Sequence, residues 1–440
     1  MTGPDPSLGP APELRQQPPE SGDSASFASR LALAHKAGGL VVPLLTTVLA
    51  FLIGGLVVLA TTGKNPLNTY KAIFEGAGFN WFFQVGSYEL RIPFTDAHIW
   101  FPWNTNDIES LAAANLQQTL IYWVPLVFTG LAVAFAFRCG MFNIGGQGQY
   151  LVGSIMGLWV GSSLPWLPGF LHIVAAIVAG ALAGAAWAGI AGLLKATVGA
   201  HEVISTIMLN WIAIWVGAYL FALKGPLQNS DPSQQSVPVS NDVTSTAKLP
   251  VFWGDPELQG LHIGLFIALG AALIFWVVLN RSTTGYEVRA VGLNPEAARY
   301  GGISVARNYI LVMAMCGAFA GLAGSMDLLG WQFRIATNDI LNSANVGLGF
   351  FGIAVALLGR NTASGTVIAA VLFGALLSGT SQRNLDPTIF EPELASNLTL
   401  IIQGLVVLIV SADVIVLTML RRGRRMFRRR APAAAEVDAS

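Results

Sequence analysis

Three polar stretches break an apolar chain, and each offers a different chemistry. In HEVISTIMLN (201–210), Glu202, Thr206 and Asn210 recur every four residues, which on a helix gives a polar stripe about 12 Å long on one face. A carboxylate, a hydroxyl and an amide in line suit hydrogen bonding to a polar solute or to a neighbouring helix. Lipid accepts neither, so the face points into a bundle. FRCGMFNIGGQGQ (137–149) sets Gly140, Gly145, Gly146 and Gly148 among Asn143, Gln147 and Gln149. Non-helical backbone at membrane depth is tolerated where protein or a water-filled cavity surrounds it, and helices broken in this way often flank a solute path; a plain cytoplasmic turn is the alternative. Asn143, Gln147, Glu202, Thr206 and Asn210 are therefore candidates for lining a path near the cytoplasmic half, with Phe142 and Trp211 as its apolar walls.

The third stretch, residues 281–307, is the longest strongly polar segment between two hydrophobic spans that also carries a readable helix signal. Asn294 can cap free amides, Pro295 fits the first helical position, and Glu296 suits the positive end of the dipole. Gly301 and Gly302 stop the helix. The result is about 9 Å long, too short to stand alone in water, so it needs a partner surface. Ala297 and Ala298 leave one side narrow enough to enter a groove, while Glu296 and Arg299 fix its orientation by charge. A solvated loop helix is the competing reading.

Other patterns carry less chemistry. No Walker A sequence occurs, so the chain shows no nucleotide-hydrolysing machinery of its own. GLGFFG (347–352) fits GxGxxG but lies in an apolar run without a βαβ context, which favours close helix packing, as do the GxxxG spacings at Gly180 with Gly184 and Gly317 with Gly321. Cys139 and Cys316 lack metal-ligand spacing and read as small buried residues. No nucleophile, base and orienting group stand at recognisable spacing, so nothing argues for an enzyme. Asp413 and Gln403 fall within a span, and Asp327 near an outer end, where snorkelling accounts for it.

The elements that must position these residues follow from composition. With 440 residues, 53% hydrophobic, 11% charged and a mean hydropathy of +0.59, the chain is an integral membrane protein. Apolar runs of membrane-crossing length fall at Leu40 to Ala60 and near 116–137, 149–164, 170–194, 203–223, 260–280, 308–329, 346–359, 363–380 and 396–419, about ten in all, the third and eighth too short to cross unaided. Residues 1–36 read as a disordered cytoplasmic N-terminal tail, 37–420 as the transmembrane domain with the cytoplasmic loop 281–307, and 421–440 as a basic cytoplasmic C-terminal tail. With both termini cytoplasmic, Arg138, Lys195, Arg281, Arg289, Arg299, Arg307, Arg360 and the tail RRGRRMFRRR share one side. Segments 63–110 and 225–259 are then external, the first studded with Trp81, Trp100 and Trp103 as in an interfacial belt.

Four segments together carry a family resemblance: GKNPLNTYKAIFEGA (63–77), PLVFTGLAVAFAFRCGMFNIGGQGQ (125–149), HEVISTIMLNWIA (201–213) and RAVGLNPEAARYGGI (289–303). They resemble the permease subunits of ABC importers for nucleosides and simple sugars, within the group that includes ribose and branched-chain amino acid permeases. Gln147 departs from the pattern, since relatives usually have Glu there. The resemblance implies an all-α integral membrane protein, similar in architecture to the cobalamin importer's membrane subunit, and a place in a bacterial plasma membrane. It also implies a second permease subunit, a cytoplasmic ABC ATPase that binds the ATP and Mg, and an external substrate-binding lipoprotein. No cofactor belongs to this chain and no nucleic acid is a partner. The residues implied to couple to the ATPase are Arg289, Asn294, Pro295, Glu296, Ala297, Ala298, Arg299 and Gly302. A nucleoside is the expected solute, with simple sugars as the alternative. An ion-coupled secondary transporter using Glu202 or Asp413 is the rival mechanism, and a receptor or scaffold without transport the third reading.

Overall fold

Inside a bilayer the backbone must satisfy its own hydrogen bonds, so an apolar chain of this kind is helical wherever lipid surrounds it. The computed structural model describes residues 47–60, 63, 65–83, 89–91, 98–100, 111–254, 260–342 and 347–381, with five residues between 400 and 408. All lie in the compact unit that begins at Thr46. The helices are α1 (Thr47–Ala60), α2 (Pro66–Gly76), α3 (Leu111–Arg138), α4 (Gly146–Ser163), α5 (Gly169–Val198), α6 (Glu202–Phe221), α7 (Gly264–Arg281), α8 (Thr283–Leu293), α9 (Pro295–Tyr300), α10 (Val305–Asp327), α11 (Thr337–Asn342), α12 (Leu348–Leu358) and α13 (Ala363–Gly379). Two short hairpins, β1 (Glu89–Arg91) with β2 (His98–Trp100) and β3 (Val251–Trp253) with β4 (Leu261–His262), are antiparallel.

Among the described residues, α3, α5, α6, α7 and α10 with its π-helical extension to Gln332 are long and apolar enough to cross a membrane, and α1, α12 and α13 are shorter apolar helices. These account for eight of the expected runs, and α4 for the third. The tenth expected run, with Gln403 and Asp413, lies outside the described residues save for a few positions, as do the two tails and Trp103. The polar loop holds two helices where the sequence pointed to one: α8 precedes α9, its first turn capped by the Ser282 hydroxyl, which accepts from Gly285 N at 3.0 Å.

α3 is apolar on all sides and therefore takes the centre. Most of it is buried, packed by α7, α10, α12 and α13. Beside it α5 crosses α10 at the two GxxxG pairs: a Cβ at Gly184 would stand 2.2 Å from the Gly317 carbonyl oxygen, and one at Gly321 would stand 2.3 Å from that of Gly180. Without a hydrophobic drive between helices in lipid, such close backbone approach is what gives van der Waals adhesion. GLGFFG packs closely as well, Gly349 against Gln147 and Gly352 against Thr129. Trp81 is buried against Trp253, ring centroids 5.1 Å apart, and so is a packing residue rather than part of an interfacial belt.

The far end of α10 unwinds into a π turn, Leu328–Gln332, and then non-helical backbone through Phe333, whose φ is 57°. The loop between α6 and β3 satisfies this break. Leu249 N donates to Leu329 O at 2.9 Å, Val243 N to Phe333 O at 2.8 Å, Ser240 N to Ile335 O at 2.9 Å and Thr337 N to Pro238 O at 3.0 Å. Lys248 Nζ sits 4.4 Å from the Phe333 ring centre. His262, on β4, is buried and packs against Gly330.

Replacing Gly321 by Leu forces α5 and α10 apart, at a cost of about 1–3 kcal/mol or more. The thermal unfolding midpoint in detergent should drop by several degrees. Gly189→Leu on the same α5, where a Cβ meets nothing within 4 Å, should leave it unchanged; equal midpoints for the two variants would contradict the close-approach account.

Candidate functional site

The glycine-rich stretch after α3 forms a break in the helix ladder. The chain leaves α3 at Arg138, turns at Gly140 (φ 69°) against Gly292 of α8, and runs without helix from Met141 to Ile144 before α4 begins at Gly146. There Gly146 meets Gly349 in the first turn of α12. α12 has 11 residues, about 16 Å at 1.5 Å per residue, against a hydrocarbon core of about 30 Å. Two interrupted helices thus bring their N-termini together inside the bundle.

Amides supply what the missing helix does not. Asn143 and Gln149 pair reciprocally, Nδ2 donating to Oε1 and Nε2 to Oδ1, both at 2.9 Å, and Asn143 Oδ1 also accepts from Gly145 N at 3.0 Å. From α6, Asn210 Oδ1 accepts from Gly148 N at 2.8 Å while its Nδ2 donates to Ile144 O at 2.9 Å. Gln147 Oε1 accepts from Gly349 N at 2.9 Å and so ties α4 to α12. Thr206 is buried, but its hydroxyl returns to Glu202 O at 2.7 Å. Three of the seven expected path residues, Asn143, Gln147 and Asn210, thus hydrogen-bond at the break.

The outer members of the expected set separate from this cluster. Glu202 accepts from Lys195 Nζ at 2.6 Å, a pair set where α5 ends and α6 begins, with Lys195 also 5.2 Å over the Tyr309 ring. Phe142 is half-buried edge-on to Phe137 at 4.8 Å. Trp211 is 48% exposed and does not join Asn210, because neighbouring residues on a helix point about 100° apart.

One expected residue, Gln147, lines a cavity of about 170 Å³ with Tyr150, Ser154, Gln332, Asp339 and Gly347. Its polar wall is organised by Asp327, which is 1% exposed and does not snorkel. The carboxylate accepts from Tyr150 Oη and Trp331 Nε1, and from Gln332 Nε2 at 3.0 Å. A carboxylate in lipid surroundings must be paired or hydrogen-bonded, and the π turn delivers two of these three donors. Tyr150, Ser154 and Gln332 were missed in the sequence. The one signal was the spacing of four that joins Tyr150 to Ser154 and Asp327 to Trp331.

The second site is α9. Asn294 Oδ1 accepts from Glu296 N at 3.0 Å and Ala297 N at 3.1 Å, Gly301 N closes on Ala297 O, and Gly302 takes φ 82°. Glu296 and Arg299 pair at 3.4 Å in solvent. The narrow side differs from expectation: Ala298 is buried in the chain's own core, so it cannot enter a partner's groove. The outward face is Leu293, Glu296, Ala297 and Tyr300, with Leu293 and Tyr300 88% and 91% exposed. Arg289 lies away from this face, half-buried beside Arg138.

The family model described as "Branched-chain amino acid transport system / permease component" matches residues 115–411. The chain belongs to that permease family. It is similar to the guanosine ABC transporter permease protein NupP of Bacillus subtilis, 37% identical over 340 residues, 77% of this chain and 85% of the relative. It is also similar to the nucleoside ABC transporter permease protein NupB of Lactococcus lactis, 33% identical over 78% of this chain and 85% of the relative. The glucose ABC transporter permease protein TsgB13 of Haloferax volcanii is 35% identical over 62% of this chain and 71% of that protein. No solved structure matches significantly. The permease is a multi-pass membrane protein and a transport subunit rather than an enzyme.

Because Asn210 satisfies two buried backbone groups of the break, Asn210→Leu strands both, at about 1–3 kcal/mol each. The purified permease should lose thermal stability together with transport. Thr206→Val, which removes only a bond back to its own helix, should change either by little. Normal stability of Asn210→Leu with lost transport would instead make Asn210 a solute contact.

Proposed function

We propose that this permease is the membrane subunit of an ATP-driven importer of nucleosides in a bacterial plasma membrane. The likeness to guanosine and nucleoside permeases over more than three-quarters of the chain supports this most strongly. The proposed assembly contains a second permease subunit, a cytoplasmic ABC ATPase that binds ATP and Mg, and an external lipoprotein that delivers the solute. Ten spans in an arrangement like that of the cobalamin importer, with both termini cytoplasmic, belong to the same proposal.

α9 supplies the coupling. This two-turn helix buries Ala298, turns Glu296, Ala297 and Tyr300 outward beside the exposed Leu293 at the end of α8, and packs against α8 and α10. Force applied to its exposed face by the ATPase therefore reaches α10, and with it the Asp327 wall of the cavity. The solute meets that wall, where Gln147, Ser154 and Gln332 offer donors and acceptors to ribose hydroxyls and base edges and Tyr150 an aromatic surface. An importer fed by an external binding protein needs contacts weak enough to release. The Lys195 pairing of Glu202 weighs against an ion-coupled carrier built on that carboxylate. The glucose permease relative keeps a sugar as the second reading.

The test is uptake into vesicles carrying the complete transporter. Guanosine should accumulate with ATP and resist ionophores, with glucose failing to compete. Ala297→Arg should abolish uptake and uncouple the ATPase while leaving the unfolding midpoint unchanged. Ionophore-sensitive uptake, or full activity of Ala297→Arg, would overturn the respective half of the proposal.

A further inference from the structure

Between α7 and α13 lies a groove of about 650 Å³ that neither the coupling face nor the solute cavity uses. Its walls are apolar. Leu273 of α7 and Ile368 of α13 are 61% and 68% exposed, and Trp276 stands beside them. The far end is cationic, with Arg138 from the end of α3 and Arg289 from α8, and among the described residues no carboxylate lines it. Arg138 spends Nε on the Asn361 carbonyl at 3.0 Å. Arg289 Nη1 and Asn361 Oδ1 are both buried and lack a hydrogen-bond partner. Among the described residues no carboxylate pairs with either arginine.

A buried donor atom of a guanidinium without an acceptor is costly, and two like charges side by side add to that cost. An anion placed between the arginines removes both problems. The first turn of α13, whose residues Thr362 to Ser364 also line this end, adds the positive pole of a helix and amides with no intrahelical acceptor. Asn361 Oδ1 needs the opposite partner, a hydrogen-bond donor. One ligand combines an anionic phosphate, a hydroxyl donor and a long apolar chain. We propose that this groove binds one anionic phospholipid with a hydroxyl-bearing headgroup. Its phosphate lies between Arg138 and Arg289, its headgroup hydroxyl on Asn361, and an acyl chain along Leu273, Trp276 and Ile368. Basic pockets between transmembrane helices take anionic headgroups on these grounds.

The placement gives the lipid a mechanical role. Arg289 lies on α8, which is joined to α9 through Asn294 and packs at Gly292 against Gly140 beneath α3. A phosphate shared by Arg138 and Arg289 clamps α8 to the end of α3, and so steadies the segment that carries the partner face. This holds whatever solute is carried.

Native mass spectrometry of the intact transporter, released from vesicles of equal phosphatidylglycerol and phosphatidylcholine, tests the site. The unmodified complex should retain phosphatidylglycerol over phosphatidylcholine by about thirtyfold, the factor expected of two basic groups near an anionic headgroup. Arg138→Gln with Arg289→Gln should remove that preference, whereas Arg307→Gln, exposed at the same end, should keep it. Should the double variant fail to assemble, Leu273→Trp with Ile368→Trp fills the walls with both arginines intact and should likewise lose the adduct. Equal retention of both lipids by the unmodified complex would mean annular lipid only and overturn the proposal. So would undiminished phosphatidylglycerol on the arginine variant. Cross-linking of Ile368→Cys to a protein chain of the complex, in place of labelling by a photoactivatable phosphatidylglycerol, would make the groove a protein interface instead.

Discussion

A peptide group that leaves a helix inside a bilayer has no water to turn to, and an unpaired one costs several kcal/mol. This permease breaks its helices in two places within the bundle, before α4 and after α10, and much of its polar side-chain chemistry answers that cost. Asn143, Gln149 and Asn210 serve the first break, and Gln147 ties it to α12. The loop from Pro238 to Leu249 serves the second. Asp327, held by Tyr150, Trp331 and Gln332, joins the two breaks across one small cavity.

The same constraint explains why the cavity lies where it does. Helices such as α5 and α10 pack side by side and leave little room, especially where Gly180, Gly184, Gly317 and Gly321 bring backbones together. A small cavity opens where the break before α4 meets the start of α12, and there Gln147, Ser154, Gln332 and Asp339 share a wall. α10 runs from the α9 segment to the π turn beside that wall. One helix thus runs from the α9 segment, beside the exposed Leu293 and Tyr300, to the polar wall of the cavity.

Local chemistry made much of this legible in the sequence. The caps at Asn294 and Pro295, the glycine break after Arg138 and the buried stripe of α6 all depend on neighbours in the chain, and each stands as read. What long-range contacts decide was not legible. The pairing of Tyr150 with Asp327 spans 177 residues, so Asp327 looked like a snorkelling end residue. The burial of Ala298 depends on α9 lying back on its own chain, which reversed the side assigned to the partner. The role of Asn210 also changed, because a stripe that faces inward satisfies either a solute or a broken backbone, and only the geometry of Gly148 and Ile144 distinguishes them.

We propose that the solute passes the polar wall where the interrupted helices meet. Ser154 lies on that wall, and its hydroxyl donates to Tyr150 O at 3.0 Å in its own helix. The most direct measurement is the modification rate of Ser154→Cys by a small thiol reagent in the complete transporter, with Cys139 and Cys316 replaced. The rate should rise during ATP turnover and fall again when guanosine is present. A rate unchanged by both ATP and nucleoside would place the path elsewhere in the complex.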